Sequence, residues 1–85
     1  MPRKNIKLTK FSEQEDEARA FELFAKGAAQ EHGASQYMAG DCLLYGIGVE
    51  RDPSAALPLI LSAAEKGHRT ARARVREFVQ QLDEL

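Results

Sequence analysis

The feature that most constrains this chain is an internal period. Asp16, Ala20, Leu23, Ala28 and His32 return 36 residues later as Asp52, Ala56, Leu59, Ala64 and His68. Conservative matches fill the intervals: Phe21 with Leu57, Phe24 with Ile60, Ser35 with Ala71. A fixed period of roughly 20–50 residues marks a helical-repeat array, in which each unit buries its apolar face only against its neighbours. The period therefore points to a fold and to binding as the activity, without naming a partner.

Four helices are expected. Residues 1–11 lack helical periodicity; Ile6, Leu8 and Phe11 sit among lysines, so this basic arm is read as disordered or as a short extended segment. Helix one is expected to begin at Ser12, where Ser12 and Glu15 have the spacing of a capping box. Phe21, Phe24, Ala25 and Ala28 share one face, and Gly33 is the expected stop. Helix two is expected from Ala34 to Tyr45, with Met38, Ala39, Cys42, Leu43 and Tyr45 as its apolar stripe and Gly46-Ile47-Gly48-Val49 as the turn. Asp52 and Pro53 form a start signal for helix three, which is uncharged from Ser54 to Ala64 and ends at Gly67. Apolar residues cover almost every side of it, so it should be buried on more than one face. Pro58 removes one backbone bond and should strain or kink it. Helix four is expected from Arg69 to Leu82, with Ala71, Val75, Phe78, Val79 and Leu82 inward.

Charge and cysteine usage narrow the function classes. The net charge is −1, so no bulk field draws the chain to nucleic acid or to a membrane. Charge is nevertheless segregated: Arg3, Lys4, Lys7 and Lys10, then Glu13, Glu15, Asp16 and Glu17, and finally Arg69, Arg72, Arg74 and Arg76. The single cysteine, Cys42, excludes an internal disulfide, and nothing requires an oxidising compartment. No apolar run approaches the ~20 residues of a membrane span. Met-Pro-Arg-Lys-Asn-Ile-Lys is not followed by an apolar stretch, so it does not read as a secretory signal and a cytoplasmic location is expected.

Ala63-Ala64-Glu65-Lys66-Gly67-His68, the turn Gly46-Ile47-Gly48-Val49, Asp52 and Ala56 together resemble the Sel1-like repeat, a relative of the tetratricopeptide repeat. The resemblance covers about residues 13–79. The chain departs from the pattern at Gly27 and Glu31, where alanine and glycine are usual, and at Ala39-Gly40, where leucine–glycine is usual. It implies one full repeat flanked by two half units. The expected architecture is four helices as two antiparallel hairpins of a short right-handed α–α solenoid over residues 12–85. It further implies a non-catalytic adaptor or scaffold, often bacterial, that binds proteins.

Several residues invite chemistry and are better explained by architecture. His32 and His68 recur at the repeat period, so both are expected at helix ends, where an imidazole caps carbonyls or favours the dipole. Cys42 lies on an apolar stripe with no histidine within a turn and reads as a core thiol. Gly46-x-Gly48 lacks the preceding strand, third glycine and lysine of a phosphate loop. No carboxylate pair, nucleophile or metal-ligand spacing is present, so no catalytic residue, cofactor or metal is expected.

The surface candidates are two stripes. Arg69, Arg72 and Arg76 fall at i, i+3 and i+7 and could grip an acidic peptide or a phosphate backbone. Tyr37, Asp41 and Leu44 make a second stripe on helix two, with Tyr37 as an aromatic anchor. In solenoids of the resembled family the first helix of each hairpin lines the concave face, which would place both stripes in one groove between helices two and four. So short an array should also leave apolar surface for a partner or a second copy, with Leu57 and Leu61 as the expected self-association contact. The leading expectation is a protein-interaction module. An inhibitor or immunity-type protein that fills an enzyme's or toxin's cleft is the first alternative. A nucleic-acid accessory protein using the basic arm and the arginine helix is the second. The copies diverge most in charge at Gln36 against Arg72 and Gly40 against Arg76, and there a partner is expected to be read.

Overall fold

A computed structural model describes the backbone of residues 2–83 and the side chains of residues 14–83. It contains α1 (Pro2–Ala29), α2 (Gly33–Tyr45), α3 (Pro53–Glu65) and α4 (Arg69–Asp83). The described residues contain no strand. Each helix packs chiefly on its neighbours in sequence, α1 on α2, α2 on α3 and α3 on α4, as in a helical-repeat solenoid.

The first helix differs from expectation. It is continuous from Pro2, so the backbone of residues 2–11 is helical where a non-helical arm was expected, and Ser12 does not open the helix. Proline is pre-organised for a first helical position. Residues 3–11 hold no glycine or further proline and are rich in Lys, Arg and Leu, which favour helix without needing an apolar stripe. At about 1.5 Å per residue, 28 residues span about 42 Å, which accounts for most of the molecule's 49 Å length. The side chains of the capping box at Ser12, of Ile6, Leu8 and Phe11, and of the basic arm lie outside the described residues, as does the structure of Met1 and of residues 84–85.

The two helix–helix turns 36 residues apart are the same turn. After α1 the N–H of His32 donates to Gly27 O at 3.0 Å and that of Glu31 to Ala28 O at 2.9 Å. After α3 the N–H of His68 donates to Ala63 O at 3.0 Å and that of Gly67 to Ala64 O at 2.9 Å. This pair of bonds is the Schellman closure, which needs a left-handed residue just past the helix. Gly67 supplies it with φ 90°, and Glu31 supplies it with φ 64°. The stop of α1 is thus Glu31, and Gly33 instead opens α2.

His32 and His68 do sit at helix ends, but they cap the helix that follows. Nδ1 of His68 accepts the Ala71 N–H at 3.2 Å, and Nδ1 of His32 accepts the Ser35 N–H at 3.3 Å. An imidazole lone pair can satisfy one of the N–H groups that a helix start leaves orphaned, just as Asp52 Oδ1 does for the Ala55 N–H of α3 at 3.2 Å.

The core is small and centres on α3. Ala56, Ile60, Ala63 and Ala71 are fully buried, with Tyr37, Ala39 and Cys42 nearly so. α3 runs unbroken through Pro58. It is not buried all round: Leu57 is 42% and Leu61 45% exposed. On α4 the expectation of an inward Val79 and Leu82 fails, since they are 51% and 68% exposed. No helix among the described residues packs beyond α4 to cover them.

Candidate functional site

The expected groove between α2 and α4 does not form as a shared surface. Tyr37 is buried, with its ring stacked on His68 at 4.8 Å between centroids and 21° between planes. It is therefore a core residue and not an open aromatic anchor. Burial, then the neighbouring Asp41 carboxylate, pushes its phenol above the ordinary value of 10.0. Leu44 is half-buried against the core cluster. Asp41 is half-buried; its Oδ1 has no hydrogen-bond partner but lies 3.6 Å from Arg74 Nη2.

Arg74, which the stripe reading left out, is what joins α2 to α4. Besides Asp41 it donates to the Tyr45 hydroxyl, and that hydrogen bond is the largest cause holding the guanidinium above its ordinary value. It stands five positions from Arg69, off the i, i+3, i+7 row, and so belongs to a different face of α4.

The arginine row faces the other way. Arg69, Arg72 and Arg76 are exposed. Arg72 Nε donates to Ala64 O at 3.3 Å, near the C-terminal end of α3, where unpaired carbonyls favour a cation. Arg72 and Arg76 then border an open groove of about 500 Å³ between α3 and α4. Its floor is apolar, made by Leu61 and Ala64 of α3 and Val75 and Val79 of α4; Glu65 completes the rim. The structure thus joins Leu61, expected as a self-association contact, to two of the three arginines expected to grip a partner. Leu57 is exposed one turn earlier on α3.

The groove is an apolar trough with two guanidinium groups at its edge. Such a surface suits an amphipathic helix whose apolar stripe meets the floor and whose acidic side chains meet Arg72 and Arg76. It holds no arrangement for covalent chemistry. Among the described residues no group of three or more His, Cys, Asp or Glu could hold a metal ion. Cys42 is buried on α2, and its thiol is pushed above its ordinary value of 9.0 by burial, then by Asp41 and Glu17; this opposes the thiolate a nucleophile needs. No helix among the described residues is long and apolar enough to cross a membrane.

The family model for the Sel1 repeat matches residues 11–32 and 33–68, most of the chain. No curated protein and no solved structure matches it.

Proposed function

We propose that this chain, which belongs to the Sel1 repeat family, is a non-catalytic interaction module that takes up a helical segment of a protein in the groove between α3 and α4. Repeats of this family are generally protein–protein interaction modules. The observation that carries the reading to this surface is the groove itself: an apolar floor of Leu61, Ala64, Val75 and Val79 left open to solvent beside Arg72 and Arg76. Val79 is 51% exposed, which is a large apolar exposure for a position in line with the rest of the floor. The arginines favour an acidic partner and set register, while the floor supplies most of the affinity.

Capture from a lysate of the native host, comparing the wild-type chain with Val79→Arg and with Arg72→Glu/Arg76→Glu, tests this. A protein retained by the wild type and lost from both variants, at unchanged far-UV helix signal, is expected. A partner held equally by all three, or by none, contradicts the reading.

A further inference from the structure

The groove has a counterpart inside the molecule, and that counterpart is occupied. Shifted back by the 36-residue period, Leu61, Ala64 and Glu65 become Ala25, Ala28 and Ala29 of α1, and Arg72, Val75, Arg76 and Val79 become Gln36, Ala39, Gly40 and Leu43 of α2. The α2 side of this α1/α2 trough is where α3 packs. A side chain at Gly40 would run into Ile60, Ala56 and Leu59 of α3, and Gln36 Oε1 accepts from Lys66 Nζ, just past α3, at 3.2 Å. Gln36, Ala39 and Gly40 are accordingly buried, whereas their mates Arg72 and Arg76 are exposed and Val75 half-exposed. The α4 side of the α3/α4 groove corresponds to the α2 face that α3 covers, and no helix among the described residues covers it.

The period also specifies which helix fits. Along the chain the helices alternate between two kinds: α2 and α4 are period-mates, and so are α1 and α3. The helix that would follow α4 is one of the α1/α3 kind, and the chain begins with such a helix. Its face corresponding to Ala56, Leu59 and Ile60 is Ala20, Leu23 and Phe24; Ala20 and Phe24 are half-buried and Leu23 is 66% exposed. Among its described residues α1 exposes Glu15, Asp16, Glu17 and Glu22, opposite in sign to Arg72 and Arg76, against two exposed cations, Arg19 and Lys26.

We propose that the occupant of the groove is α1 of a second copy of this chain, so that copies join head to tail. This rests on the groove being a helix-binding surface. By the period, Leu23 of one copy comes beside Arg76 of the next and the adjoining Val79, and the acidic side of its α1 meets the arginines. The interface is heterologous, with two different faces, and so it does not close after two copies. Arg76 standing where α2 has Gly40 keeps the helices further apart than α2 and α3, so the association is concentration-dependent and reversible.

Sedimentation equilibrium on the full chain, from about 10 µM to about 1 mM, reads this directly. The wild-type mass should climb with concentration past twice 9.4 kDa without a plateau at the dimer. Leu23→Arg destroys one face and Val79→Arg the other, so each alone should stay monomeric. Mixed in equal amounts, they should recover a species that stops at two chains, because each retains the face the other lacks. Both positions are largely exposed; should either arginine variant lose helix signal, Leu23→Gln and Val79→Gln serve instead. Loss of association with Val79→Arg and none with Leu23→Arg would mean a symmetric pairing through the groove and would overturn the proposal. A mixture that fails to recover would overturn it too. A wild type that stays monomeric throughout would overturn it while leaving the groove as a seat for some other acidic helix, which the capture comparison reads separately.

Discussion

The ring of Tyr37 in α2 stacks on the ring of His68, whose Nδ1 caps α4, with centroids 4.8 Å apart. Two elements whose backbones are not principal neighbours are thereby tied at the start of α4, as Arg74 ties them further along it through Asp41 and Tyr45. The cap orients the imidazole, and the imidazole presents its face to a buried phenol. This contact adds to the packing of α4 on α3 and to the Arg74 links in holding α4, and with it the α3/α4 groove, in place.

The two roles of His68 can be separated. His68→Asn keeps an N-cap acceptor and loses the stack, and should cost about 0.5–1.5 kcal/mol. His68→Phe keeps an aromatic face and loses the cap, and should cost about 0.5–2 kcal/mol. His68→Ala loses both. Urea unfolding of the three variants checks the ordering, with alanine the least stable. Equal stability of the asparagine variant and the wild type would mean the stack contributes nothing.

Glu31 holds φ 64° where its period-mate Gly67 holds φ 90°. A left-handed conformation strains a residue with a Cβ and leaves glycine unstrained. Glu31→Gly should therefore stabilise the chain by about 0.5–1 kcal/mol, while Gly67→Ala should destabilise it by about 1 kcal/mol. The pair Glu31 to Lys66, 3.9 Å apart with the Glu31 side chain 79% exposed, is too solvated to offset the gain. Thermal unfolding at fixed pH and salt measures both signs.

Alanine should be costly at position 40 and nearly neutral at its period-mate, position 76. Gly40→Ala brings a Cβ to 2.7 Å from Ile60 Cγ1 and 3.1 Å from the Ala56 carbonyl, so overpacking should cost about 1–3 kcal/mol. Arg76→Ala lies at the equivalent position of the open groove and should stay within about 0.5 kcal/mol of the wild type. Denaturant midpoints decide. A costly Arg76→Ala would mean that the groove is already filled from within the chain.

Stability should fall on the alkaline side. Tyr37 and Cys42 are both held protonated in the fold, above their ordinary values of 10.0 and 9.0. The unfolded chain therefore releases these protons first, and the stabilisation present below pH 9 is lost as pH rises through 9 and 10 and past the folded values. Urea midpoints across this range should decline, and Tyr37→Phe should remove the share of the decline that begins near 10. An undiminished slope in that variant would exclude Tyr37 as its source.

Much of this architecture was legible in the residues because it is local. Asp52-Pro53 starts α3, and Gly67 marks the turn after it, each through a cap that two or three neighbours complete. The helical backbone of residues 2–11 was not legible, since favourable helix formers without an apolar stripe leave no periodic signal. Nor was the burial of Tyr37, because the ring that covers it comes from 31 residues away. The arginine row was read correctly as one face of a helix. Which neighbour that face meets is set by packing, and it is α3, whereas Arg74 alone turns to α2. The divergence of Gln36 from Arg72 and Gly40 from Arg76 falls on a buried pair against α3 in α2 and an exposed pair beside the groove in α4.

That the open seat takes a helix of the α1 kind is tested most directly by assigned amide NMR spectra over a dilution series. At 9.4 kDa the chain suits the method. The expected result is concentration-dependent shifts confined to two patches: the groove around residues 61–65 and 72–79, and the face of α1 around residues 20–24. Shifts absent at every concentration, or centred instead on Tyr45 and Arg74 between α2 and α4, would contradict it.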